Sequence, residues 1–177
     1  KNFWLAGPNP TDDHGHGTHV SGLAASAVMG VAPEAQIVAI KALNAVGGGD
    51  LASLMGAIDY AGSVGADVIN ASFGGDSPAF QAMKASIEKA NRAGALFLSA
   101  AGNGDDSGKG YDIDRKPTYP ASFEIPGMLT VASIRPDGSL SSYSNFGTKA
   151  VQIAAPGGDG GPNAGPLMSA NYLPEKK

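Results

Sequence analysis

Asp67-Val68-Ile69-Asn70-Ala71-Ser72 and, further on, Ala95-Leu96-Phe97-Leu98-Ser99-Ala100 decide how this chain folds. Each is a short apolar run bounded by turn residues, the pattern of a strand buried in a parallel sheet. Between them Ser77 is placed to cap a helix. Pro78 takes the first helical position, where a missing N–H costs nothing. Phe80, Met83, Ile87 and Ala90 then recur on one helical face, and Gly94 ends the helix. Strand, helix and strand in that order specify a βαβ unit with a right-handed crossover.

The same alternation extends outward. Ala35-Gln36-Ile37-Val38-Ala39-Ile40-Lys41-Ala42-Leu43 reads as a strand. Asp50 reads as an N-cap, and Leu51, Leu54, Met55 and Ile58 follow at helical spacing to about Val64, with Gly65 at the C′ position. Residues 104–127 are rich in Gly, Pro and Asp and read as a long surface loop. Met128-Leu129-Thr130-Val131-Ala132-Ser133-Ile134 and Ala150-Val151-Gln152-Ile153-Ala154 are later strands, and the chain from Gly157 onward is mostly loop. The expected fold is α/β, a mainly parallel sheet flanked by helices. Open parallel sheets bind ligands beyond the carboxyl ends of their strands. Ser72-Phe73-Gly74 and Gly102-Asn103 both lie there, so two neighbouring strand ends should frame one cleft.

Composition narrows the function. The 177 residues suffice for one domain with a core, and 42% hydrophobic content argues against disorder. The net charge of −4 and the lack of a basic run speak against nucleic-acid binding. No stretch reaches the ~18 apolar residues of a membrane helix. No signal-peptide pattern opens the sequence, which leaves location undecided, since a mature secreted fragment lacks one too. Zero cysteines exclude disulfides and thiol catalysis. There is no internal repeat and no linker-like shift, so residues 1–177 are read as a single domain.

His16-Gly17-Thr18-His19-Val20-Ser21-Gly22 places two imidazoles three residues apart among residues too small to hide them. A helix beginning at His16 would hold that ring at its exposed end, where a general base needs it. The competing reading of His16 is a loop histidine. His19 reads better as a core histidine bonded to backbone, and His14 as solvent-exposed. A three-imidazole metal cluster of His14, His16 and His19, with oxygen from Asp12 or Asp13, is a rival from other chemistry. Asn103 follows a buried strand through Gly102, and its amide can donate to an oxygen gaining charge in a tetrahedral intermediate. The plain alternative is a turn asparagine. Asp105, Asp106, Asp112 and Asp114 could hold calcium through oxygen ligands or form a solvated acidic loop.

Together these residues resemble the subtilisin-like serine proteases. Asp13-His14-Gly15-His16-Gly17-Thr18-His19-Val20-Ser21-Gly22 resembles the family's histidine motif, with His16 in the place of the catalytic base. Gly30-Val31-Ala32-Pro33 is similar to the segment before the family's next strand. Val68 through Gly75 resembles the strand that pairs with substrate backbone. Ala100-Ala101-Gly102-Asn103 resembles the oxyanion-hole motif. Ser141-Ser142-Tyr143-Ser144-Asn145-Phe146-Gly147 and Ile153-Ala154-Ala155-Pro156-Gly157 are similar to later landmarks, in the family's order.

The resemblance implies a serine endopeptidase with His16 as base, Asn103 as oxyanion donor and Ser72, Phe73, Gly74, Ala101 and Gly102 as substrate wall. It implies a peptide or protein substrate, no nucleic-acid or membrane partner, and a secreted or cell-envelope location. The family's early aspartate strand has no counterpart before His16, where Asp12 and Asp13 stand too near in the wrong context. Its Gly-Thr-Ser-Met-Ala nucleophile string is absent, and Ser169 aligns better with the strand before that motif. The run from Gly22 to Gly30 is short for a family calcium loop. The implied object is therefore a partial catalytic domain, inactive alone, whose missing groups would come from complementary segments of the same protease domain. The alternative is a degenerate, non-catalytic module that keeps the groove and binds peptides without cleaving them.

Overall fold

The computed structural model describes residues 1–5, 7–159 and 169. These residues form two compact units, 1–61 with 169, and 62–159. In chain order the elements are α1 (His16–Ala25), α2 (Leu51–Ser63), β1 (Val68–Ala71), a 3-10 turn (Pro78–Ala82) running into α3 (Met83–Arg92), β2 (Leu96–Ala100), β3 (Met128–Ile134) and β4 (Ile153–Pro156).

Among the described residues the four strands form one parallel sheet in the order β1-β2-β3-β4. Val68 lies opposite Leu96, Phe97 opposite Met128, and Val131 opposite Ile153. A parallel neighbour requires a crossover, and α3 supplies it between β1 and β2. Its Met83, Ile87 and Ala90 are buried, as their helical spacing predicts, and the helix packs on β2. Phe97 of β2 is fully buried. Burial of such a side chain contributes about 2–3 kcal/mol relative to exposure. Thr130 of β3, opposite Ser99, is fully buried as well, and its hydroxyl donates to the Ala121 carbonyl at 2.7 Å. The polar atom therefore costs the core little.

Caps fall where the sequence places them. Asp50 accepts from the Ser53 N–H at 2.8 Å and from the Ser53 hydroxyl at 2.8 Å, closing the start of α2. Ser77 accepts from the Ala79 N–H, and Pro78 follows it. The Phe80 N–H bonds the Ser77 carbonyl at 3.0 Å, an i to i+3 contact. The expected single helix therefore opens as a 3-10 turn before becoming α-helical.

Three expected strands differ. Residues 35–43 make only one isolated ladder contact among the described residues, Lys41 beside Asn2. A β-branched run becomes a strand only by pairing, and Ile37 and Val38 stay 51% and 50% exposed. β1 is an edge of the described sheet, so Val68 is 53% exposed and not buried. The last strand starts at Ile153, three residues later than expected. The Asp114 carboxylate takes the N–H groups of Lys149 and Ala150, and the Val151 N–H goes to the Gly147 carbonyl, so those residues are committed to a turn. The expected loop over residues 157–177 lies mostly outside the described residues.

Candidate active site

α1 begins at His16, as the histidine-rich string suggests. Gly15 precedes it at φ 98°, a left-handed conformation that a side chain would strain, and it offers no capping group. The cap comes from Asp12. One carboxylate oxygen accepts from the N–H groups of His14 and Gly15, both at 2.9 Å. The other accepts from the Thr18 N–H at 2.8 Å and the Thr18 hydroxyl at 2.7 Å. Burial pushes the Asp12 carboxyl up, but these bonds outweigh it and hold the group well below the usual carboxylate range. A negative charge also suits the positive end of a helix. His16 is thus displayed, exposed, on a firmly tied helix start.

This arrangement does not favour the metal reading. Asp12 is consumed by capping, and Asp13 pairs with Lys41 at 2.5 Å. The His14 ring accepts from the His16 N–H at 3.4 Å and stands edge-on to the His16 ring at 6.3 Å between centroids. No group of three or more His, Asp or Glu among the described residues could hold a metal ion. The acidic loop does not fit calcium either. Asp105 bonds Ser107, Asp112 faces Arg115 and the Asp114 N–H, and Asp114 bonds residues 148–150. Ser169 donates its hydroxyl to the His19 carbonyl at 2.5 Å, a structural contact on α1.

The second unit holds a cleft of about 410 Å³ at the carboxyl ends of β1 and β2. Its lining includes Ser72, Phe73 and Gly74 from the end of β1, Gly102 and Asn103 from the end of β2, and Thr118. The sequence thus places the two strand ends on one cleft correctly. Ala101 is buried behind this wall and is not among the lining residues. Asn70 donates to the Ser72 hydroxyl at 2.8 Å. Gly75 and Tyr119 exchange N–H···O bonds at 2.9 and 2.7 Å, so the segment after β1 leaves the parallel sheet to pair antiparallel with residue 119.

The turn carrying Asn103 is tight. Gly102 sits at φ 102°, and a Cβ there would come within 2.5 Å of the Asn145 Nδ2. Asn103 itself is exposed. In the sequence Asn145 stands within the Ser141–Gly147 family landmark, with no task of its own assigned. It is one of the most buried polar residues, and nearly every bond around Asn103 ends on it. The signal was a polar residue inside an otherwise ordinary Tyr143-Ser144-Asn145-Phe146 run, which sequence alone does not connect to residue 103. The far wall is set by Tyr111, whose hydroxyl shares a hydrogen with Thr118 at 2.7 Å and whose ring lies 4.8 Å below the Lys116 Nζ.

The subtilase family model matches residues 4–176. Subtilisin DY of Bacillus licheniformis is 36% identical over 152 residues, 83% of this chain and 53% of that protein. The thermostable alkaline protease of Halalkalibacterium halodurans is 35% identical over 160 residues, 88% of this chain and 41% of that protein. A cold-adapted subtilisin-like serine proteinase superposes with a TM-score of 0.78 at 31% identity, over 89% of this chain and 54% of the other. This chain belongs to the subtilase family. It spans about half the length, or less, of these relatives.

Proposed function

We propose that residues 1–177 form one partial catalytic domain of a serine endopeptidase, supplying its general base, its oxyanion donor and its substrate wall. The observation that carries this reading is the single cleft joining Ser72, Phe73 and Gly74 to Gly102 and Asn103 at the strand ends. An extended peptide laid along residues 72–74 would bring a carbonyl beside Asn103. His16 would take the proton of a serine hydroxyl as that oxygen attacks the carbonyl carbon, then return it to the leaving amine. The carbonyl oxygen gains charge, and the Asn103 amide N–H would donate to it. Loss of such a donor typically costs ~10²–10³ in rate. The nucleophile and the acid that orients His16 come from complementary segments of the same domain, since the sequence carries neither motif. The substrates are peptides or proteins. A secreted location follows the relatives, one of them the minor extracellular protease Epr of Bacillus subtilis, 36% identical over 151 residues, 82% of this chain and 22% of that protein.

The test is a titration of the isotope-labelled chain with a chromogenic oligopeptide, followed by NMR. The amides of Ser72, Phe73, Gly74 and Asn103 should shift together and saturate. A fluorophosphonate should leave the chain unlabelled. Shifts at Ser72, Phe73 and Gly74 without shifts at Asn103 would refute the cleft as the peptide site. Labelling of any serine in this chain would refute the division of labour.

A further inference from the structure

We propose that Asn145 is the positioning residue for the Asn103 turn, a role that rests on the reading of Asn103 as oxyanion donor. β2 ends at Ala100, so the ladder holds nothing beyond the Ala101 N–H, which bonds the Val131 carbonyl at 2.9 Å. From there one residue takes over. Asn145 Nδ2 donates to the Ala101 carbonyl at 3.0 Å. The Asn145 backbone N–H donates to the Gly102 carbonyl at 3.0 Å. Asn145 Oδ1 accepts from the Gly104 N–H at 3.1 Å. The two carbonyls before Asn103 and the N–H after it are therefore fixed by the same residue, which is only 1% exposed.

The second lone pair of Oδ1 accepts from the Tyr111 N–H at 3.1 Å. Asn145 therefore fixes the turn and the far wall of the cleft relative to each other. Its own segment is firmly seated. The Gly110 N–H bonds the Ser142 carbonyl, the Phe146 N–H bonds the Tyr111 carbonyl, and the Ile113 N–H bonds the Phe146 carbonyl, at 2.9, 3.1 and 2.8 Å. Gly110 lies so close to Ser144 that a Cβ would fall 1.9 Å from its carbonyl oxygen.

Asparagine suits the position because the site demands one donor and one twofold acceptor. An aspartate keeps the acceptor but turns a charged oxygen toward the Ala101 carbonyl. Protonated, it donates there again. An alanine keeps the backbone bond and loses the three side-chain bonds.

The experiment uses the full chain, comparing wild type with Asn145→Asp and Asn145→Ala by backbone ¹⁵N relaxation and by peptide titration. In the wild type the Asn103 and Gly104 amides should be as rigid as β2, with order parameters near ~0.85. In Asn145→Ala they should fall below about 0.6 while Leu96–Ala100 stays rigid. Peptide affinity should weaken about tenfold or more, the scale of two or three lost hydrogen bonds. Asn145→Asp should behave like the alanine variant at neutral pH and recover both rigidity and affinity once acid protonates the new carboxyl. An unchanged Asn103 order parameter in both variants overturns the proposal. Loosening spread evenly over β2 overturns it too, because that is a general structural role. If the alanine variant does not fold, the acid recovery of Asn145→Asp decides the matter alone. A wild type that binds no peptide refutes the proposed function, while the order parameters still report on Asn145.

Discussion

Replacing Asp12 by alanine isolates the residue that ties down the start of α1. The carboxylate accepts four hydrogen bonds, from the N–H groups of His14, Gly15 and Thr18 and from the Thr18 hydroxyl, all between 2.7 and 2.9 Å. Gly15, at the N-cap position, contributes no side-chain bond. The site is half-buried, so water regains part of what the variant loses. Loss of an N-cap typically costs about 0.5–2 kcal/mol, and bonds to a charged acceptor lie at the upper end, so about 2 kcal/mol is the expected loss. With a urea slope of about 2 kcal/mol/M, the unfolding midpoint should drop by about 1 M.

The pH dependence fixes the cause. Hydrogen bonding depresses the folded-state carboxyl below its ordinary value. Such a group contributes its full stability above the unfolded pKa of about 4 and loses it as pH falls toward the depressed folded value. The gap between wild type and Asp12→Ala should therefore be constant above about pH 5 and shrink below about pH 4. Urea melts at a series of pH values, followed by far-UV circular dichroism, measure it. Equal midpoints at neutral pH would refute the capping role. A gap that persists undiminished to pH 2 would refute its electrostatic origin.

Asp50→Ala removes the two bonds to Ser53 at the start of α2 and should destabilise the chain slightly, read as a lower urea midpoint. Gly74→Val puts a Cβ 3.1 Å from the Tyr119 carbonyl oxygen, with further branches behind it, so peptide affinity measured by anisotropy should fall while the helical signal persists. Phe97→Ala empties the fully buried centre of the second unit and should destabilise it by about 3–5 kcal/mol, measured by thermal melting.

Where local chemistry decides the outcome, the residues could be read directly. Asp50, Ser77, Pro78, Gly65 and Gly94 punctuate the chain as expected, because caps and left-handed glycines act over a few residues. The cleft followed from the rule that parallel strands offer their carboxyl ends, which needed only the positions of β1 and β2. Features that depend on distant partners were hidden. Residues 35–43 have strand composition, but pairing is a property of neighbours and not of the run itself. Asp12 looked like a poor triad acid or a metal ligand, and nothing local announced that it caps the histidine helix. Asn145 braces a turn more than forty residues earlier in the chain through bonds that no spacing pattern encodes.

The reverse turn at the rim of the cleft has a practical consequence. Asp105 and Lys109 close it with their own backbone, and the Gly108 N–H bonds the Asp105 carbonyl. Asn145 grips the chain on either side, at Gly104 and Tyr111. The tip between those anchors is therefore an exchangeable cassette. Lengthening or recharging it would retune what the rim admits while the sheet and the Asn103 corner keep their shape.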